Sequence, residues 1–140
     1  MNERKIKINA NLSELDKLRL AVNDFCKVHN VEGKIVYYIS LAIEEAFVNL
    51  IKYSFDFDSK RLVYFSFEVE ENEIKIIIED DGKSFDPRTV LPIENEQIKK
   101  KHTKGGFGIF LISQIMDKID YFPKDKNSPT NKLILTKILE

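Results

Sequence analysis

The sequence predicts an α+β fold, a two-layer α/β sandwich in which helices cover one face of a mainly antiparallel mixed sheet. Apolar residues recur at every second position in some segments, as in strands, and at every third or fourth position in others, as in helices. These two kinds of segment do not alternate strictly along the chain. The 140 residues, 43% hydrophobic and 32% charged, are enough to bury one core without metals or disulfides. We therefore predict a single domain over residues 1–140.

The first part of the chain predicts one strand and two amphipathic helices. Alternation over residues 6–10 predicts a short strand, after which Asn11 or Ser13 caps the first helix. Gly33 breaks that helix, and the second is expected over residues 34–53. The residues expected to face the core are Leu15, Leu18, Val22 and Phe25 in the first helix, and Ile35, Ile39, Ala42, Ile43, Ala46 and Leu50 in the second.

The remaining strands follow from a change of period to two. Apolar and polar residues alternate over residues 63–69, and residues 74–78 are mostly apolar. A short polar turn separates the two segments, which predicts an antiparallel pair of strands. Residues 120–122 and 133–136 predict two further strands joined by a turn that contains Pro129.

A long segment without periodicity separates these two pairs of strands. Residues 82–106 contain Pro87 and Pro92 and are rich in lysine, so we expect a loop with a short helix over residues 94–100. Loops of this length in a small domain are usually functional, and we assign residues 87–104 as a lid. A third helix follows, with Ile109, Ile112, Ile115, Met116 and Ile119 on its core side.

Charge and cysteine content exclude several classes of protein. The 22 basic and 23 acidic residues nearly cancel, which argues against a nucleic-acid binder, whose affinity needs a clustered basic surface. The lone cysteine, Cys26, cannot form an intramolecular disulfide and is typical of a reducing compartment. No apolar run approaches the ~20 residues that span a bilayer. We expect a cytoplasmic protein with no membrane partner.

Glu45 and Asn49 are the first candidate site residues. Their spacing of four residues places them on one face of the second helix, one turn apart. A carboxylate and a carboxamide in this arrangement offer a proton acceptor and an oxygen ligand for Mg²⁺. The alternative is an ordinary solvated helix face.

Asp80 and Gly82 form the second candidate, where an apolar strand ends in acid and glycine. A carboxylate at a strand end can accept a hydrogen bond from an exocyclic amine, and a glycine lets a planar ligand approach the backbone. The alternative is a turn rich in Asp, Gly and Pro.

A glycine-rich segment opens the third helix and is the third candidate. Glycines at a helix start expose free N–H groups to an anion, and the helix dipole adds to the attraction. The alternative is a flexible hinge. The residues of this segment are Lys104, Gly105, Gly106, Phe107 and Gly108.

The order and spacing of the three segments resemble the Bergerat-fold ATPase domain of the GHKL superfamily, shared by gyrase, histidine kinases and MutL. The resemblance covers residues 11–139. The matching residues are Glu45 and Asn49 for its N box, Asp80, Asp81 and Gly82 for its first glycine box, and Gly105, Gly106, Phe107 and Gly108 for its second.

Within that superfamily the chain is most similar to the stand-alone anti-sigma factor serine kinases. Their first glycine box commonly has the pattern Asp-x-Gly-x-x-Phe-Asp, as residues 80–86 do here. Their second has Gly-Gly-x-Gly followed by apolar residues, as residues 105–111 do. The resemblance implies ATP or ADP as ligand, with Mg²⁺.

The resemblance also implies a role for each candidate residue. Asp80 accepts a hydrogen bond from the adenine amino group, and Gly82 leaves space for the adenine ring. Asn49 holds Mg²⁺, and Glu45 orients or deprotonates the attacking hydroxyl. The phosphates lie against the backbone of residues 105–108, with positive charge from Lys104 or Lys52.

The implied function is a kinase that sequesters a sigma factor and phosphorylates a serine of an anti-anti-sigma (STAS-type) protein, acting as a homodimer. Two alternatives stay open: a nucleotide-dependent binding switch without kinase activity, and a catalytic module detached from a histidine kinase. Lys52 and Tyr53 favour the last, because residues 49–54 resemble the N box of two-component histidine kinases, Asn-Ala-x-Lys-Tyr-Ser/Thr. The serine kinases usually carry a histidine-containing segment where this chain has Tyr53, Ser54 and Phe55. Phe85 and Asp86 favour the serine kinase.

Overall fold

The computed structural model describes residues 3–31, 33–89 and 106–139. The strands are β1 (Glu3–Asn9), β2 (Leu62–Glu70), β3 (Glu73–Asp80), β4 (Lys118–Phe122) and β5 (Asn131–Ile138). The helices are α1 (Leu15–Val28), α2 (Lys34–Asn49) and α3 (Gly106–Ile115). The strands form a five-stranded sheet in the order β1-β2-β3-β5-β4. Each pairing in the described part of the chain is antiparallel, which confirms the α+β class.

The two faces of the sheet differ because side chains alternate along each strand. Phe65 of β2 lies opposite Ile78 of β3, and both side chains are buried. Phe47 of α2 contacts Phe65, and Phe25 of α1 contacts Phe67, the next inward residue of β2. Both helices therefore cover the same face of the sheet, and the core lies between the two layers.

The start of α1 follows the sequence prediction, but its end does not. A short 3₁₀ turn, Leu12–Glu14, precedes α1, and the Asn11 side chain caps it by accepting a hydrogen bond from the Ser13 N–H at 2.9 Å. Gly33 has a φ of +69°, a conformation that other residues rarely adopt, and α2 begins immediately after it. The first helix, however, already ends at Val28, and Asn30 with its φ of +59° follows that end, so the prediction that Gly33 breaks the first helix is wrong.

The second helix departs from its prediction at its end. Regular α-helix stops at Asn49, and Leu50–Ser54 form one wider π turn. Its signature is the hydrogen bond from the Phe55 N–H to the Leu50 carbonyl, 3.0 Å long. π turns are uncommon and often occur at functional sites. This one follows directly on a candidate site residue.

The long connection between β3 and α3 is described only at its ends. Residues 87–89 form a 3₁₀ turn, and α3 begins at Gly106 and packs against α2. The predicted helix over residues 94–100 and most of the predicted lid lie outside the described residues. In the ranges that are described, no helix is both long and apolar enough to cross a membrane.

Candidate functional site

A cleft opens between the end of α2, the end of β3, the loop after β3 and the helix α3. Two of its lining residues, Asn49 and Asp80, are predicted site residues from different segments of the sequence. The fold therefore brings these two candidates together. The other lining residues are apolar or aromatic: Ala46, Leu50, Ile78, Phe85, Pro87, Ile112, Tyr121, Leu133 and Leu135. An apolar cleft with a few polar groups is the usual form of a small-molecule site.

Asp80 ends β3, and only 3% of its surface is exposed. Its Oδ1 accepts hydrogen bonds from the Gly82 N–H at 2.8 Å and from Asn131 Nδ2 at 3.1 Å. Burial raises the pKa of the Asp80 carboxyl, and the two hydrogen bonds oppose that rise in part. Because Oδ1 takes both bonds, the carboxylate is held in one orientation.

Asn131 is a site residue that sequence reasoning missed. It opens β5 directly opposite Asp80 and is 1% exposed. Its Nδ2 also donates to the Gly82 carbonyl at 3.0 Å, while its Oδ1 accepts from Ser84 Oγ at 2.6 Å and from the Lys124 N–H at 2.9 Å. One amide thus ties the Asp80 carboxylate to the loop that follows it. The pairing of Asp80 with Asn131 depends on strand register, which the sequence pattern did not reveal.

The structure gives a reason for glycine at position 82 that differs from the predicted one. A Cβ at this position would lie 2.6 Å from the Ser54 carbonyl oxygen and 2.7 Å from the Phe55 ring. The next N–H, of Lys83, donates to the same Ser54 carbonyl at 2.9 Å. The absence of a side chain therefore lets the loop after β3 pack on the π turn that follows Asn49.

The alternative of a solvated helix face does not hold for Asn49. The residue is 7% exposed, and its buried Nδ2 has no hydrogen-bond partner among the described residues. Burying a polar group without a hydrogen-bond partner costs about 1–3 kcal/mol. Such a group in a cleft is explained if a bound ligand supplies the missing partner. The same amide carries an oxygen, the type of ligand atom that Mg²⁺ prefers. The Asn49 side chain is therefore suited to hold a Mg²⁺ ion that is bound to the phosphates of a ligand.

Glu45 and Lys52 lie on either side of Asn49 along the chain, outside the group of residues that line the cleft. Glu45 is partly buried, and this burial raises the pKa of its carboxyl, with Lys52 opposing the rise and Glu44 adding to it. The positive charge of Lys52 thus acts on Glu45. A partly buried carboxyl with a raised pKa is suited to proton transfer.

The third predicted segment is only partly described. Gly106, Phe107 and Gly108 form the first turn of α3, as predicted. Lys104 and Gly105 lie outside the described residues. The free backbone N–H groups at the start of this helix are the kind of feature that binds phosphate groups.

Comparison with known proteins identifies the family. The family model of the histidine kinase-like ATPase domain matches residues 8–137. The chain belongs to this family. The match confirms the resemblance drawn from the three sequence segments and extends over nearly the whole ATPase-like fold described above.

Curated relatives of this ATPase domain carry the name serine-protein kinase RsbW. The protein from Oceanobacillus iheyensis is 31% identical over 85 residues, which are 58% of this chain and 54% of the relative. Proteins from Staphylococcus aureus are 31% identical over 87 residues, 59% of this chain and 55% of the relative. The match thus spans just over half the length of these relatives.

Solved structures support the fold of the domain. The crystal structure of the RsbU and RsbW domains of Rv1364c from Mycobacterium tuberculosis superposes with a TM-score of 0.65 at 12% identity, covering 99% of this chain and 32% of that one. The SiaB-SiaC complex from Pseudomonas aeruginosa gives a TM-score of 0.68 at 11% identity, covering 96% and 89%.

Proposed function

We propose that this ATPase-family domain is an ATP-binding anti-sigma factor with serine kinase activity. It sequesters a sigma factor and phosphorylates an anti-anti-sigma protein. The observation that carries the proposal is the cleft in which a buried, oriented Asp80 carboxylate lies with Asn49, whose Nδ2 has no hydrogen-bond partner in the described part of the chain. The names of the curated relatives support the choice of serine as acceptor.

The base of the nucleotide is recognised by Asp80. Its Oδ1 is already bonded to Gly82 and Asn131, so Oδ2 accepts the hydrogen bond from the adenine amino group. The apolar walls of the cleft cover the faces of the ring and remove them from water. A guanine base presents a carbonyl oxygen at the corresponding position, and that oxygen would face the Asp80 carboxylate without a proton between them. The site therefore favours adenine.

The phosphates extend from the base towards Asn49 and the start of α3. Bound Mg²⁺ would neutralise phosphate charge and align the triphosphate, and the Asn49 amide oxygen would hold it. The backbone N–H groups of Gly106, Phe107 and Gly108 face the phosphates in this arrangement. Gly105, Lys104 and Lys52 complete the predicted phosphate contacts.

Glu45 acts on the acceptor serine. The serine oxygen bonds to the γ-phosphorus as the bond to the departing ADP breaks, and the hydroxyl proton passes to the Glu45 carboxylate. Positioning and charge neutralisation supply most of the acceleration in phosphoryl transfer, so one carboxylate base is sufficient.

A histidine-kinase-like module is the second candidate, and Tyr53 is the residue that favours it. The Tyr53 ring stacks on Phe85 of the cleft wall, with centroids 5.0 Å apart. This tyrosine thus packs on the outer side of a residue that lines the proposed adenine site. The phosphate acceptor distinguishes the two candidates.

The homodimer, the single domain over residues 1–140 and the lid over residues 87–104 remain predictions.

Replacing Asp80 with asparagine is expected to weaken ADP and ATP binding about tenfold to a hundredfold, the effect of losing a hydrogen bond to a charged group. Asparagine keeps Oδ1 for Gly82 and Asn131 but presents an N–H where the adenine amine also donates. Calorimetric titration with ADP measures the loss. Asp81→Asn is the matched control, because the exposed Asp81 pairs with Arg61 instead.

The stability of the Asp80→Asn variant separates a lost contact from misfolding. Because burial raises the pKa of Asp80, its ionised form at neutral pH opposes folding, and a neutral asparagine removes that cost. We expect a melting temperature equal to or above that of the wild type. Equal ADP affinity in variant and wild type would reject Asp80 as the adenine residue.

Replacing Asn49 with alanine is expected to remove the gain in ATP affinity that Mg²⁺ provides, while metal-free ADP binding stays nearly unchanged. The adenine contacts lie at Asp80, on a different element. ATP titrations with Mg²⁺ and with a chelator measure this difference. Asn49→Asp should restore the metal dependence, because it returns an oxygen ligand. If Mg²⁺ tightens ATP binding equally in the alanine variant and the wild type, Asn49 is not a ligand.

A further inference from the structure

Tyr121 is a buried cleft residue that the proposed mechanism does not use. It lies on β4, is 8% exposed and lines the cleft. Its hydroxyl accepts a hydrogen bond from the Phe85 N–H at 3.0 Å. Core packing alone would be satisfied by phenylalanine, so the hydroxyl serves the loop after β3.

The same tyrosine holds this loop at a second point. Arg88 Nη2 donates to the Tyr121 carbonyl oxygen at 3.3 Å. Arg88 is itself fixed by an ion pair with Asp86, with 2.9 Å between Nη2 and Oδ2. Residues 85–88 are therefore fastened to β4 on both sides of Pro87.

The position of this loop determines one wall of the cleft. The Phe85 ring stacks on Tyr53 of the π turn, with an angle of 27° between the ring planes. Phe85 thus bridges the loop after β3 and the end of the second helix, beside Asp80 and Asn49. Its ring can keep this place only while its main chain is held.

We propose that Tyr121 is a positioning residue for the nucleotide, resting on the adenine site proposed above. Its hydroxyl fixes the Phe85 main chain, so that the aromatic wall stands in place before the base arrives. A wall that is ordered in advance spares the binding step the cost of ordering it. Loss of the hydroxyl then weakens nucleotide binding although Tyr121 makes no hydrogen bond to the nucleotide.

The test compares Tyr121→Phe with Tyr64→Phe, which removes a hydroxyl from a tyrosine that is 43% exposed and does not line the cleft. We expect Tyr121→Phe to weaken ADP binding about threefold to tenfold, the range for one hydrogen bond. We expect faster hydrogen exchange of the Phe85 amide in the unliganded variant, measured by NMR. Tyr64→Phe should change neither quantity.

A double-mutant cycle with Phe85→Leu completes the test. It measures the effect of Tyr121→Phe in two backgrounds, so the conclusion does not depend on one variant alone. If Tyr121 acts through the Phe85 ring, Tyr121→Phe should cost much less ADP affinity in the Phe85→Leu background than in the wild type. Additive losses, or unchanged Phe85 exchange with weaker ADP binding, would overturn the positioning role. Equal ADP affinity in wild type and Tyr121→Phe would also overturn it. Failure of the wild type to bind any adenine nucleotide would instead reject the proposed function on which it rests.

Discussion

Replacing Glu45 with glutamine is expected to lower phosphate transfer to a serine acceptor by about 10²–10⁴-fold, the usual contribution of a general base. Glutamine keeps the shape of the side chain and a hydrogen-bonding oxygen but cannot take the proton. ADP binding should be unchanged, because Glu45 lies outside the residues that line the cleft. Transfer of radiolabelled γ-phosphate from ATP to candidate anti-anti-sigma proteins measures the effect.

Glu44→Gln is the matched control for this substitution. Glu44 is the neighbouring carboxylate, but it forms a two-point ion pair with Arg19 of α1, with N–O distances of 2.8 and 2.9 Å. Its loss should lower stability by about 1 kcal/mol or less and leave transfer within a few-fold of the wild type. A similar loss of transfer in both variants would mean that the local charge, not the base, matters.

The pH dependence of transfer gives a second check on Glu45. A base acts in its ionised form, so the rate should rise with pH and level off above the pKa of Glu45. Because burial raises that pKa, the rising limb should lie above the ordinary range of glutamate, about 4.3. A rate independent of pH across this limb in the wild type would contradict the assignment.

The identity of the phosphate acceptor distinguishes the function candidates. Transfer to serine supports the proposed kinase, and transfer to histidine supports the histidine-kinase module. If the wild type binds ATP but transfers to neither, the nucleotide-dependent switch remains. Tyr53 would then be the first residue to exchange for histidine, the residue type usual in that segment of the serine kinases.

The fold was predictable from sequence because its elements bury one regular face each. Strict alternation in β2, where Phe65 and Phe67 alternate with Tyr64, Ser66 and Glu68, fixes which side chains face the helices. The π turn was not predictable by the same route. The apolar helical pattern continues through Leu50 and Ile51, and the extra residue per turn accompanies packing against Gly82, a contact remote in sequence.

The candidate site was predictable only where a residue belongs to a motif. Asn49 and Asp80 come from such motifs, and the fold brings them to one cleft. Tyr121 lies in a predicted strand but in no motif, and Asn131 lies just before the predicted strand over residues 133–136. Their hydrogen bonds to Asp80 and Phe85 arise from strand register and loop position, which local patterns do not encode.

Replacing Gly82 with alanine is expected to lower the melting temperature by roughly 5–10 °C and to weaken ADP binding, because the new methyl group overpacks a full site. One of the two clashing groups, the Ser54 carbonyl, is backbone and cannot rotate away. Either the π turn or the loop after β3 must shift, and these carry Asn49 and Asp80 at their starts. Thermal unfolding and calorimetric titration with ADP measure the two effects.

Gly33→Ala is the control that separates strain from crowding. Gly33 has a φ of +69°, and no atom of the described residues lies within 4 Å of an added Cβ, whereas Gly82 has no such positive φ and no space. Alanine at position 33 should therefore cost about 1 kcal/mol or more in backbone strain, far from the cleft, without changing ADP affinity. Adding Phe55→Leu to Gly82→Ala relieves the ring clash but not the carbonyl clash, so it should restore stability only in part. Wild-type stability and affinity in Gly82→Ala would contradict the expectation that a methyl group here displaces the π turn or the loop after β3.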